Sequence, residues 1–173
     1  AKGLFPNGIY KVKQWGAPSD GLVDAGPSIQ NANNFLSGGG VISAPAGTYL
    51  LSTKIDISSN ITLEGDGDAT LFVFGVGLSL NIDTKTNVTL KDFKIRSESY
   101  FMYFKLSNNI RVERVTGVGL ITATGALSQY YALFEGCDEV DVVDPSIDNY
   151  NYGCLFAREA GSSTRCGYVR VNG

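Results

Sequence analysis

A chain of 173 residues with formal net charge −3, its acids and bases mixed along its length, has room for one domain with a substantial core and carries no basic stripe for nucleic acid. It has no histidine, so imidazole bases, Ser-His pairs and His-ligated metals are excluded from the chemistry of these residues. It also lacks an uninterrupted apolar run of about 18 residues that would span a membrane. The 21 glycines, 9 tyrosines and 9 phenylalanines favour β structure.

In chain order, residues 1–14 read as a lead-in, with Ile9-Tyr10-Lys11-Val12-Lys13 alternating like a short edge strand. Asp24 can cap a short helix that has Pro27 in its first turn, carries Ile29, Ala32 and Phe35 or Leu36 on one face, and ends at Gly38-Gly39-Gly40. A single helix ahead of repeated strands is expected to cover the open end of the stack. The lead-in and cap take residues 1–51, and the repeats take residues 52–173 as one domain.

The repeats begin at Asn60-Ile61-Thr62-Leu63 and return as Asn87-Val88-Thr89-Leu90, Asn109-Ile110-Arg111-Val112, Glu139-Val140-Asp141-Val142 and Tyr168-Val169-Arg170-Val171. The steps are 27, 22, 30 and 29 residues, a solenoid period. Each copy alternates apolar and polar, which predicts one strand per turn with one buried face, and hence an all-β, single-stranded parallel β-helix. Ile82, Phe104 and Phe134 each stand six residues before an inward residue, with Phe156 in the same local pattern. Leu78, Tyr100, Tyr130 and Tyr152 lie four residues further upstream. Both sets are expected to stack at about the 4.8 Å strand spacing.

The outward positions form charge ladders. One reads Thr62, Thr89, Arg111, Asp141, Arg170; a second reads Glu64, Lys91, Glu113, Val143, Asn172; a third reads Asp83, Lys105, Glu135. Neighbouring opposite charges contribute roughly 0.2–1 kcal/mol each, which gives Arg111, Asp141 and Arg170 a structural role. Asn60, Asn87 and Asn109 fall where the chain turns; asparagine tolerates left-handed backbone, and stacked amides can bond along the axis. Cys137 and Cys166 occupy equivalent places in successive coils, either as a disulfide or as stacked thiols, and Cys154 reads as a small core residue. Residues 116–129 and 157–165 lengthen their coils and are expected to be loops that carry binding. Val169-Arg170-Val171-Asn172-Gly173 is a repeat strand with nothing after it, so a further part of a longer β-helix, or a partner subunit, is expected to cover it.

Trp15-Gly16-Ala17, Asp20-Gly21, Asp24, Ile29-Gln30, Ala32, Gly39-Gly40 and Pro45-Ala46-Gly47-Thr48-Tyr49 resemble the N-terminal segment of the pectate-lyase-like right-handed β-helix superfamily. That superfamily includes phage tailspikes, rhamnogalacturonases and alginate C5-epimerases. The resemblance implies right-handed coiling, an extracellular or virion location, a polysaccharide partner and, for the tailspike type, a homotrimer of side-by-side helices. It leaves three readings open: a tailspike or depolymerase, a secreted pectin-type hydrolase or lyase, and a non-catalytic adhesive β-helix. Tyr152-Gly153 resembles the opening of the alginate-epimerase catalytic strand, but Leu155 and Ala157 stand where that strand has an acid and a histidine, so the activity does not carry over.

Glycoside hydrolysis needs two carboxylates roughly 5–9.5 Å apart. Glu135, outward among aromatic positions, and Asp148 and Glu159, near the second insertion, are the candidates; Glu135 also has Lys105 as a ladder partner. Tyr103 and Tyr131, outward by alternation, and Tyr150 could stack on sugar rings, with Arg158 in the insertion as a further substrate contact. The acid-rich segment Asp138, Glu139, Asp141, Asp144 and Asp148 lacks a calcium-loop motif, so no metal site and no cofactor are expected.

Overall fold

Alternation makes the strands of this molecule, and left-handed residues bend them into coils. The computed structural model describes residues 8–75, 77–97, 101–119, 130–148, 152–157 and 169–172. Strand β1 (Ile9–Lys11), a 3-10 turn (Val12–Trp15), β2 (Asp20–Asp24) and helix α1 (Gly26–Phe35) precede β3 (Gly40–Ala44), β4 (Gly47–Leu51) and β5 (Ile55–Asp56). The coils continue through β6 (Ile61–Phe74), β7 (Leu80–Asp83), β8 (Thr86–Ser97), β9 (Met102–Lys105), β10 (Asn108–Gly119) and β11 (Tyr130–Glu135). They close with β12 (Asp138–Val143), β13 (Ser146–Asp148), β14 (Tyr152–Ala157) and β15 (Val169–Asn172). A ten-stranded sheet runs β1-β3-β6-β8-β10-β12-β15, with β2, β4 and β13 beside it, and a five-stranded sheet runs β14-β11-β9-β7-β5. The pairings along both are parallel, as in a β-helix.

The register follows the repeat. Thr62 pairs with Thr89, Thr89 with Arg111, Arg111 with Asp141 and Asp141 with Arg170. Leu63, Leu90, Val112 and Val142 form the inward column beside them and are all buried. On the five-stranded sheet Ile82, Phe104 and Phe134 stack as expected, with Phe156 paired next in register; the Phe104 and Phe134 rings lie 4.6 Å apart at 10°. Burying each such side chain stabilises the fold by about 1.5–3 kcal/mol.

A second inward run, beyond a bend in β6, β8 and β10, is not marked by the sequence repeat. In β8, Leu90 and Phe93 both face in, separated by Lys91 and Asp92, because Asp92 is left-handed (φ 59°) and interrupts the alternation. Arg114 and Asp144, both at φ 49°, bend the next two coils. A left-handed arginine costs about 1–2 kcal/mol, and here its guanidinium grips Asp92 through Nε at 2.6 Å and Nη2 at 3.0 Å. Past the bend, Phe72, Phe93, Ile95 and Val115 fill the core; Phe72 meets Phe93 edge-on at 5.1 Å.

The asparagine corner forms as expected. Asn60, Asn87 and Asn109 have φ of 61°, 57° and 53°; Asn87 Nδ2 donates to Asn60 Oδ1 at 2.8 Å, and Asn109 Nδ2 donates to Asn87 Oδ1 at 2.7 Å. Glu139 continues the backbone geometry at φ 51° with a carboxylate in place of the amide.

Helix α1 closes the five-stranded sheet by chemistry as well as by apolar cover. Ile29, Ala32 and Leu36 are buried, whereas Phe35 stays partly exposed and packs against Tyr10 and Trp15. Gln30 then treats the edge of β5 as a neighbouring strand would: its Nε2 donates to the Asp56 carbonyl at 3.0 Å, and its Oε1 accepts from the Asp56 N–H at 2.9 Å. Asn33 Oδ1 accepts from the Ser58 N–H at 2.9 Å. Asp24 Oδ1 accepts from the N–H groups of Gly26 and Ser52, which ties the start of the helix to the end of β4.

One outward expectation fails. Tyr131 is fully buried: its hydroxyl donates to the Val115 carbonyl at 2.8 Å, and burial pushes it well above the ordinary phenol range. Alternation does not apply there, because the chain is turning from one sheet into the other, and two consecutive residues, Tyr131 and Ala132, face in. Phe101 and Met102 do the same one coil earlier. Gly117 makes the room, since a Cβ there would lie 2.2 Å from the Phe101 ring. Cys154 packs against the core, and burial pushes its thiol up to about 11. Cys137 is buried; Cys166, and with it the expected pairing, lies outside the described residues.

Candidate functional site

Outward residues on the five-stranded sheet form two adjacent columns because each strand pairs in strict register with the next. One column holds Asp56, Asn81, Tyr103 and Leu133; the other holds Asp83, Lys105 and Glu135. The Tyr103 hydroxyl reaches diagonally between them and donates to Glu135 Oε2 at 2.6 Å, so two residues singled out from sequence meet. Both are half-buried, and the hydrogen bond fixes the ring.

Toward the helix end the same face deepens into a cleft of about 430 Å³ lined by Lys54, Asp56, Asn81, Asp83, Thr84 and Lys85. Lys54 Nζ lies 3.2 Å from Asp56 Oδ1, the Asn81 amide donates to the same carboxylate, and the Thr84 hydroxyl donates to Asp83 at 2.8 Å. Carboxylates, an amide and ammonium groups in a row, with one aromatic ring beside them, can accept and donate hydrogen bonds to hydroxyl groups while the ring covers an apolar face. The sequence marks this cleft at Ile82 and Asp83, which belong to the inward column and the third charge ladder; the matching alternation in Lys54-Ile55-Asp56 lies one coil earlier, ahead of the first copy of the asparagine repeat.

A second cleft, about 340 Å³, opens on the ten-stranded sheet between Asn109, Arg111, Glu139, Asp141 and Arg170. Arg111, Asp141 and Arg170 are engaged with one another or with Glu113. Arg170 holds Asp141 through Nε at 2.7 Å and Nη2 at 2.6 Å; Arg111 reaches Asp141 at 3.4 Å and Glu113 at 2.8 Å. The Arg170 hydrogen bond holds the Asp141 carboxyl below the usual range, and Arg111 does the same for Glu113. Hydrogen bonds from Arg114 to Asp92 and Glu113 raise the Arg114 guanidinium still further.

Asp148 ends β13 on the ten-stranded sheet, with its backbone paired to Val118, whereas Glu135 ends β11 on the other sheet. Glu135 and Asp148 therefore stand on different sheets. Tyr150, Arg158 and Glu159 lie outside the described residues, as do 120–129 and 158–165 of the two insertions. Tyr131 is corrected from a surface contact to a core residue, for the corner geometry given above. Among the described residues no group of three or more potential ligands could hold a metal, and no helix is long and apolar enough to cross a membrane.

Parallel coils, an asparagine corner, a helical cap and a polar outer face carrying the half-buried Tyr103 ring define a right-handed parallel β-helix of pectate-lyase-like type. The chain belongs to the rhamnogalacturonase A/epimerase, pectate lyase-like family, which residues 9–116 match. Mannuronan C5-epimerase AlgE3 of Azotobacter vinelandii is 32% identical over 77 residues, which are 43% of this chain and 4% of that protein. Among solved structures, a putative glycosyl hydrolase from Parabacteroides merdae superposes with a TM-score of 0.63 at 15% identity, covering 95% of this chain and 98% of its own. The ORF18 protein of Geobacillus virus E2 superposes at 0.61 with 20% identity, covering 95% of this chain and 41% of its own. At these identities the two structures speak to fold alone.

Proposed function

We propose that this chain is a polysaccharide-recognising β-helix of the tailspike or depolymerase type, and that it binds a glycan along the outer face of the five-stranded sheet. The observation that carries the reading is the Tyr103–Glu135 hydrogen bond of 2.6 Å on the face that runs into the 430 Å³ cleft. A tyrosine fixed through its hydroxyl presents its ring at low entropic cost, and the carboxylate keeps a second oxygen for a sugar hydroxyl. Successive coils are spaced by about 4.8 Å, close to the advance of one sugar in an extended polysaccharide, so equivalent outward positions meet successive sugars. Membership of a family that includes a rhamnogalacturonase and an epimerase supports a carbohydrate ligand.

Titration of the chain with a panel of acidic and neutral polysaccharides, followed by calorimetry and by an assay for reducing ends and unsaturated products, tests the proposal. Tyr103→Ala and Glu135→Gln are each expected to weaken binding about tenfold. Binding unchanged in both variants would remove the site, and a chain that binds no glycan would remove the function. Released products would add cleavage to binding.

A further inference from the structure

Among the described residues, the outer face of the five-stranded sheet carries carboxylates on β5, β7 and β11, and each is held by donors of the chain itself. Asp56 Oδ1 meets Lys54 Nζ at 3.2 Å and accepts from the Asn81 amide. Helix α1 also clamps the Asp56 backbone, since Gln30 bonds its N–H at 2.9 Å and its carbonyl at 3.0 Å. Asp83 Oδ1 accepts from the Thr84 hydroxyl at 2.8 Å, and Glu135 Oε2 accepts from the Tyr103 hydroxyl at 2.6 Å. These bonds occupy one oxygen of each carboxylate and leave the other out of them.

An ionised carboxylate has lone pairs and no proton to give, so the second oxygens of Asp56, Asp83 and Glu135 need donors. A sugar hydroxyl is such a donor, and it can also accept from an ammonium group. An ionised uronate or a sulfate ester offers only acceptors and a like charge. Because donors of the chain hold each carboxylate in place, an anionic sugar set on this face meets them and cannot push them aside. The lysines do not reverse the balance. Lys54 is on Asp56, Lys105 pairs in register with both Asp83 and Glu135, and Lys85 lines the cleft with Asp83 and Thr84, so three cations stand against three anions. At a chain net charge of −3 the long-range field gives a polyanion no attraction either.

We infer that this face selects an uncharged glycan, and that Asp56, Asp83 and Glu135 are the residues that set the selection: each accepts from a hydroxyl of a neutral sugar and repels a carboxylate or sulfate ester in the same place. The inference rests on the polysaccharide reading of this face and narrows it to neutral polymers.

The test compares polymers that share a backbone and differ in charge. Each acidic polysaccharide of the panel, polygalacturonate and polymannuronate among them, is used before and after reduction of its C6 carboxylate to a hydroxymethyl group. Each neutral one, dextran among them, is used before and after carboxymethylation. In every pair that the wild type binds, the neutral member is expected to bind about tenfold more tightly. Its binding is expected to hold as salt rises, because no ionic attraction is there to screen. Asp56→Asn and Asp83→Asn keep the side-chain shape and remove one charge each, and Glu135→Gln does the same on the far strand. Each is expected to narrow the neutral-to-charged ratio about threefold, by improving the charged member relative to the neutral one. A charged member bound as tightly as its neutral counterpart, or more tightly, overturns the inference and leaves the proposed function standing. So does a ratio unchanged in all three variants, with melting temperatures that show them folded, since the selection would then lie elsewhere. A wild type that binds neither member of any pair removes the proposed function and this inference with it.

Discussion

Two outer faces of this molecule are both polar, yet they handle polarity differently. On the first run of the ten-stranded sheet the charges close on one another: Lys91 on Glu64 at 3.1 Å, Arg170 and Arg111 on Asp141, Arg114 on Asp92. On the five-stranded sheet a tyrosine hydroxyl is spent on a carboxylate, and the cleft beside it mixes amide, hydroxyl, carboxylate and ammonium groups. The difference teaches that density of charge does not mark a binding face. A ladder of matched ion pairs on exposed strands stabilises register and has few donors left to offer, whereas a fixed ring beside mixed polar groups can meet an uncharged, hydroxyl-rich polymer.

The comparison can be broken at the corner that joins the two faces. Asn87→Ala removes both amide bonds of the ladder and puts alanine at φ 57°, so unfolding in urea should show a loss of about 2 kcal/mol, the largest effect expected of these changes. A loss under about 0.5 kcal/mol would mean that the ladder is ornamental and that stacking alone holds the coils.

The next largest effect separates two tyrosines. Tyr131→Phe leaves the buried Val115 carbonyl without its donor and should cost about 1 kcal/mol of stability with glycan binding intact. Tyr103→Phe should do the opposite, changing stability little and weakening binding, because the ring loses its tether to Glu135. Identical profiles for the two variants would erase the distinction between core and site.

The smallest effect is expected on the matched face. Asp141→Asn should lower the melting temperature slightly at pH 7 and leave glycan binding unchanged, and added salt should shrink the difference. The sign with pH follows from the lowered carboxyls of Asp141 and Glu113. Their contribution is present above the ordinary values of 3.8 and 4.5 and is lost as pH falls through the lower folded-state values. Melting curves of wild type and Asp141→Asn should therefore converge below that range; a gap that widens in acid would contradict the ion-pair account.

The repeat at Asn60, Asn87 and Asn109 was legible because two independent demands, inward alternation and a left-handed corner, fall on the same four residues. The capping helix was legible for a similar reason, with Pro27 in its first turn; its N-cap is Ala25, one residue past Asp24, which accepts from the Gly26 N–H, and it ends at Phe35, ahead of the glycines. The bend residues were harder, since Asp92, Arg114 and Asp144 share a backbone conformation and no residue type. Spacing held the signal, with Leu90 and Phe93, and Val112 and Val115, three apart where alternation would put them two or four apart. Tyr131 was misread because its direction is set by Gly117, a residue of a different strand that leaves room for it and Phe101.

The side-chain amides of Gln30 and Asn33 imitate a strand. They answer the backbone groups of Asp56 and Ser58 as another coil would, but they are carried on a helix that has no further backbone edge to show. On the five-stranded sheet that end is therefore a terminator: a second copy that meets it finds no template to copy, and end-to-end fibre growth is blocked there by two residues.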